Sequence, residues 1–174
     1  WIRRAAELGL PVAWNDLGVM YMEGWGVATN ERKAVECYER AARDGEPLAQ
    51  CNLAELYFYG RGSVQRDYGE ALRWFERAAH RGLPKAQYHL ANMYARGLGV
   101  DKDLKESLKW LHLAASQDYP PAQCDLAEAL LTATPPHEQD ARGLLLRASR
   151  LRFAPAQRRL EELDKGSKQE PTKP

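Results

Sequence analysis

The feature that most constrains this chain is repetition at a fixed interval. "AARDGEPLAQCNLAELYFYGRG", from Ala41 to Gly62, returns at Ala78 as "AAHRGLPKAQYHLANMYARGLG" and at Ala114 as "AASQDYPPAQCDLAEALLTA". An Ala-Ala pair marks the register at Ala5-Ala6, Ala41-Ala42, Ala78-Ala79 and Ala114-Ala115, with Ala148-Ser149 as a weaker fifth, in steps of 36, 37, 36 and 34 residues. An Ala-Gln pair keeps the interval at Ala49-Gln50, Ala86-Gln87, Ala122-Gln123 and Ala156-Gln157. A Gly-x-Gly loop keeps it at Gly24-Gly26, Gly60-Gly62 and Gly97-Gly99. Chance is a poor explanation for three markers in step, and a period of roughly 20–50 residues indicates a solenoid, propeller or array.

Each unit reads as two helices. In the first, helix A, Ala49, Leu53, Leu56 and Tyr57 fall on one face, as do Ala13, Leu17, Met20 and Tyr21, then Ala86, Leu90, Met93 and Tyr94. The residue after the leucine is small (Gly18, Ala54, Ala91, Ala127), so a neighbouring helix can come close. Pro11, Pro47, Pro84 and Pro120 stand in the first turn, where a missing N–H costs nothing. The second helix, B, follows the glycine loop, with Asp67 and Asp103 as N-caps and Glu70 and Glu106 three residues on. Its expected buried stripe is Ala34, Tyr38, Ala41 and Ala42; then Ala71, Trp74, Phe75 and Ala78; then Leu108, Trp110, Leu111 and Ala115. Gly9, Gly45 and Gly82 follow the helix end, where a left-handed residue is needed, and Asp118 takes that place in the fourth unit.

This pattern, A-x3-L-[GA]-x2-Y-x2-G-x-G followed by A-x2-W-[FY]-x2-A-A-x2-G, resembles the Sel1-like repeat, a relative of the tetratricopeptide repeat. The resemblance implies an all-α fold: a right-handed α-solenoid of antiparallel helix pairs, with a concave face built mainly from A helices. It divides the chain into a partial repeat (1–10), repeats at 11–46, 47–83, 84–119 and 120–153, and a capping helix at 154–164, together one domain over 1–164. Residues 165–174, "KGSKQEPTKP", are expected to form a disordered tail. Glu161 stands where other units carry a small residue, so the capping helix should present a polar outer face to solvent. Trp1 to Gly9 align with Trp74 to Gly82, which starts the chain inside a helix B and predicts an uncovered face at Val12, Leu17 and Met20. A targeting segment upstream of Trp1 is therefore not excluded, and bacterial periplasm and cytoplasm both stand open.

Composition narrows the function classes. With 174 residues, 44% hydrophobic and 28% charged, the chain can bury a core without disulfides or metal. A net charge of +1 points to no nucleic-acid or membrane-surface partner, and no apolar run approaches the length of a membrane span. No metal site is expected among the four histidines, His80, His89, His112 and His137, because no two stand four residues apart. Cys37 fills the slot of Trp74 and Trp110 and reads as core. Cys51 and Cys124 hold one slot two repeats apart, on the order of 20 Å at ordinary helix spacing, too far for a disulfide. No nucleophile with a nearby base and no phosphate loop is legible, so the expectation is no enzyme and no cofactor.

The family's geometry places A-helix residues off the buried stripe in an inner groove. One row is Asn15, Cys51, Tyr88 and Cys124, and the next is Asp16, Asn52, His89 and Asp125. One turn on come Val19, Glu55, Asn92 and Glu128, and near the mouth Met22, Phe58, Ala95 and Leu131, then Glu23, Tyr59, Arg96 and Thr132. These rows vary while the structural slots repeat, as a tailored binding surface does, although unconstrained surface varies too. The expected partner-binding residues are Asn15, Asp16, Val19, Glu55, Phe58, Tyr59, Tyr88, His89, Asn92, Asp125 and Glu128. Five acids (Asp16, Glu23, Glu55, Asp125, Glu128) against one base, Arg96, argue against RNA and favour a protein segment with basic and apolar residues. The function expected is a protein-binding scaffold or adaptor. A dedicated inhibitor or immunity protein that occludes a toxic effector is the alternative, and a saccharide-binding envelope component stands behind both.

Overall fold

A computed structural model describes residues 1–167. Among these residues are ten α-helices and no strand: α1 (Ile2–Glu7), α2 (Pro11–Glu23), α3 (Glu31–Arg43), α4 (Pro47–Tyr59), α5 (Tyr68–His80), α6 (Pro84–Arg96), α7 (Leu104–Ser116), α8 (Pro120–Leu131), α9 (Glu138–Arg150) and α10 (Ala154–Ser167). The helices α2, α4, α6 and α8 are A helices, and α3, α5, α7 and α9 are B helices. This is the all-α solenoid fold class.

Local chemistry sets the boundaries. Pro11, Pro47, Pro84 and Pro120 each open an A helix. Three B helices, α3, α5 and α7, are capped by side chains: Asn30 Oδ1 accepts from the Lys33 N–H, Asp67 Oδ1 from Glu70 and Asp103 Oδ1 from Glu106, each at 3.0 Å. Such caps are each worth about 0.5–2 kcal/mol. In the turn from B to A the backbone goes left-handed: Gly45 has φ 87°, and Asp118 and Arg152 hold the same place at φ 58°.

Inside a unit α2 packs on α3, α4 on α5 and α8 on α9; α3 meets α4 and α5 meets α6 between units. The alanines make this possible, since Ala6, Ala34, Ala41, Ala49, Ala71, Ala78 and Ala86 are fully buried. Gly18 shows how close the approach is. A Cβ there would lie 2.6 Å from Tyr38 Cε1, inside any real contact distance. The Ala-Gln marker has a structural cause as well. Nε2 of Gln50, Gln87 and Gln123 donates to the carbonyls of Ala42, Ala79 and Ala115, at 3.1, 3.2 and 3.3 Å, which ties each A helix to the end of the preceding B helix.

The structure departs from the sequence reading in several places. In α7 the expected buried Leu108 is 42% exposed, and Ser107 is buried instead. The α5 stripe of Ala71, Phe75 and Ala78 maps onto Ser107, Leu111 and Ala114, so slot position decides burial and side-chain size does not. Leu17, expected on an uncovered face, is 4% exposed and packs with Ala6, Ala13 and Cys37, whereas Val12 is exposed. Glu161 is exposed. Helix α10 continues to Ser167, three residues into the expected tail, and the rest of that stretch lies outside the described residues. The residues gather into two compact units divided within α7, one Trp1–Ser107 and the other from Leu108 onward, and each is described by itself.

Candidate functional site

In the first unit, A-helix residues off the buried stripe enclose a cleft of about 550 Å³. Val19, Met22 and Glu23 come from α2, Asn52, Glu55, Leu56 and Tyr59 from α4, and Lys85 from α6; Tyr38 and Arg61 complete it. Of the expected contact residues, Val19, Glu55 and Tyr59 are thus brought together. Met22, Glu23 and Asn52, from the same rows, join them.

Glu55 is the electrostatic centre. Its Oε1 lies 3.1 Å from His89 Nε2 and 2.7 Å from Lys85 Nζ, so one carboxylate oxygen serves two donors from α6. Burial pushes the Glu55 carboxyl upward, but the hydrogen bonds from His89 and Lys85 outweigh it and hold the group below its ordinary range. Lys85 escaped the sequence reading. It stands four residues before His89 on one helical face, a signal that could have found it. The acid-rich groove expected from the sequence is corrected accordingly. Glu23 and Glu55 line the cleft with Arg61 and Lys85, so its charges balance.

Other expected contact residues turn out to be held by the protein itself. Asn15 is 4% exposed, and its Oδ1 accepts from Asn52 Nδ2 at 2.9 Å. Cys51, in the same row, is also buried. At these two positions the row is the lateral seam between neighbouring A helices and does not line the groove. Phe58 is half-buried, its ring centroid 5.3 Å from Tyr68 and 6.3 Å from Phe75, so it packs toward α5. His89 stacks on Phe75 at 4.6 Å with 12° between the rings, which makes it as much a packing residue as a surface one. On α6, Asn92 Nδ2 donates to the Tyr88 carbonyl at 3.1 Å, and both residues are half-buried. Asp16 is exposed on α2.

Asp125 and Glu128 belong to the second unit. They line a separate cleft of about 360 Å³ with Cys124, Leu145, Pro155, Arg158, Arg159 and Glu162. There Arg159 grips Glu128 with two bonds, Nε to Oε1 at 2.6 Å and Nη2 to Oε2 at 3.2 Å, so Glu128 is engaged by α10.

Burial raises the Cys51 thiol to about 12 and the Cys37 and Cys124 thiols to about 11, which suppresses the reactive thiolate in all three. Among the described residues no group of three His, Cys, Asp or Glu side chains could hold a metal ion. No helix among them is long and apolar enough to cross a membrane.

Known proteins place this geometry. The Sel1 repeat family matches residues 11–46, 47–83 and 84–119, more than half of the chain. The chain belongs to the Sel1 repeat family. It is similar to a Sel1 repeat protein from Oxalobacter formigenes whose crystal structure is known, with 30% identity and a TM-score of 0.78 over 86% of this chain and 62% of that one. The chain therefore spans less than two thirds of that relative's length. The immunity proteins Pa5087 and PA5088 from Pseudomonas aeruginosa share the fold, with TM-scores of 0.60 and 0.58 at 22% and 24% identity; each match covers 84% of this chain, and 55% and 54% of theirs. No curated protein sequence matches the chain.

Proposed function

We propose that this chain is a non-catalytic binding module that holds a segment of a partner protein on its A-helix face. The observation that supports the reading is the cleft of the first unit. Its walls come mostly from A-helix positions that do not repeat from unit to unit, while most of the positions that do repeat are spent on packing. Val19 and Met22 offer apolar contact, and Tyr59, 50% exposed at the end of α4, offers an aromatic anchor of the kind that dominates binding energy. A narrower reading, a dedicated inhibitor that occludes a toxic effector, draws on the fold shared with the two immunity proteins and predicts one partner held at nanomolar affinity or tighter.

Site-specific cross-linking tests the proposal. A photoreactive amino acid at Met22 should capture a partner from the source cell's extract, while the same group at Glu36 on α3 should not. Capture from Glu36 alone would move the binding surface to the B helices.

A further inference from the structure

The first-unit cleft contains acceptors that the protein leaves unused. Glu55 gives Oε1 to both His89 and Lys85, and its Oε2 makes no hydrogen bond among the described residues. Asn52 spends one N–H on Asn15, and its Oδ1 accepts no hydrogen bond among the described residues. Neither oxygen is sealed in the core. Glu23, exposed on the same cleft, makes no ion pair or hydrogen bond among the described residues. Around these acceptors lie apolar Val19, Met22 and Leu56 and the ring of Tyr59. Two carboxylates and an amide oxygen beside an aliphatic and aromatic wall suit a guanidinium, which presents five donors on a flat, weakly hydrated cation with an apolar stem.

The protein already places a cation of its own there. Lys85 reaches across from α6 to Glu55, with its side chain 42% exposed, so the pair can open toward water. We propose that this cleft receives one arginine side chain of the partner segment, and that Lys85 holds Glu55 in its absence and competes for it. This rests on the binding reading above and names the chemistry of its partner. The cations also set a limit on that partner. Arg61 lines the cleft without an ion pair among the described residues, and with Lys85 it repels a second positive charge, so an isolated arginine is selected over a basic run.

The test is an amide NMR titration of the full chain with N-acetyl-arginine amide, N-acetyl-citrulline amide as its neutral isostere, and N-acetyl-arginyl-arginine amide. The arginine probe should shift the Asn52 side-chain amide and the backbone amides of Glu55 and Tyr59, and citrulline should not. Lys85→Ala should tighten arginine binding about two- to fivefold, the range an exposed ion pair supports. Glu55→Gln, which keeps an acceptor but loses the charge, should weaken it about tenfold. The diarginine probe should bind no tighter than the single one. Equal shifts with citrulline, shifts confined to other surfaces, unchanged or weaker binding in Lys85→Ala, or tighter binding of diarginine would each overturn the proposal. If the Met22 cross-link still captures a partner while the arginine probe fails, the inference falls alone; if both fail, the cleft reading falls with it.

Discussion

Replacing Gln50 by leucine should cost almost nothing, although Gln50 is buried, hydrogen-bonded and in step with the repeat. Its Nε2 donates to the Ala42 carbonyl at 3.1 Å, but that carbonyl also accepts the Gly45 N–H at 3.1 Å. Removing the side chain therefore leaves no orphaned backbone acceptor. What is lost is one neutral hydrogen bond, worth about 0.5–1.5 kcal/mol. What is relieved is the Gln50 Oε1, buried without a partner, a defect that costs about 1–3 kcal/mol. Leucine keeps most of the volume, so repacking adds less than about 1.5 kcal/mol. The terms nearly cancel, and Gln50→Leu should fall within about 1 kcal/mol of the parent in urea unfolding at unchanged m-value. Gln50→Ala opens a cavity at the same place and should cost about 2 kcal/mol or more. A loss above about 2.5 kcal/mol in Gln50→Leu would refute the reasoning, and would mean that the glutamine bond holds the two helices in register.

Leu90 is fully buried, and Leu90→Ala should cost about 2–5 kcal/mol, with hydrogen exchange quickening chiefly in α5 and α6. Because the folded Glu55 carboxyl sits below its ordinary value of 4.5, the unfolded chain takes up that proton first as pH falls. Its contribution to stability is thus complete above that value and lost as pH drops through the folded one, and Glu55→Gln should flatten the acid limb of a melting-temperature profile. Arg159→Ala should release Glu128 and speed hydrogen exchange in α10, at a stability cost of about 1 kcal/mol or less because the pair is partly exposed.

Much of the fold was legible because its devices recur at fixed spacing. Proline opens the A helix, an Asp caps the B helix, alanines mark the close contacts, and each was readable from one unit and checked by the next. Leu108 misled because a large apolar residue stood one place beyond the true slot, occupied by Ser107. The site was less legible. Asn15 and Asn52 look alike in sequence, but only the structure shows that Asn15 is sealed in the seam between α2 and α4. The pairing of Glu55 with Lys85, and of Glu128 with Arg159, joins residues about 30 positions apart on different helices; helical spacing puts Lys85 on the face of His89 but does not name its partner. Counting acids along a row therefore overstated the charge that a partner meets.

Calorimetric titration of the cross-linked partner against two sets of variants tests the binding face most directly. Tyr59→Ala and Met22→Ala alter the first-unit cleft, while Glu36→Lys and Arg73→Glu alter exposed positions on α3 and α5. The cleft variants should weaken binding, by about 2 kcal/mol for the aromatic anchor, with melting almost unchanged in Tyr59→Ala and lowered modestly in Met22→Ala, whose side chain also packs on the core. The B-helix variants should bind as the parent does. Loss of binding in Glu36→Lys and Arg73→Glu, with Tyr59→Ala and Met22→Ala binding normally, would contradict the account.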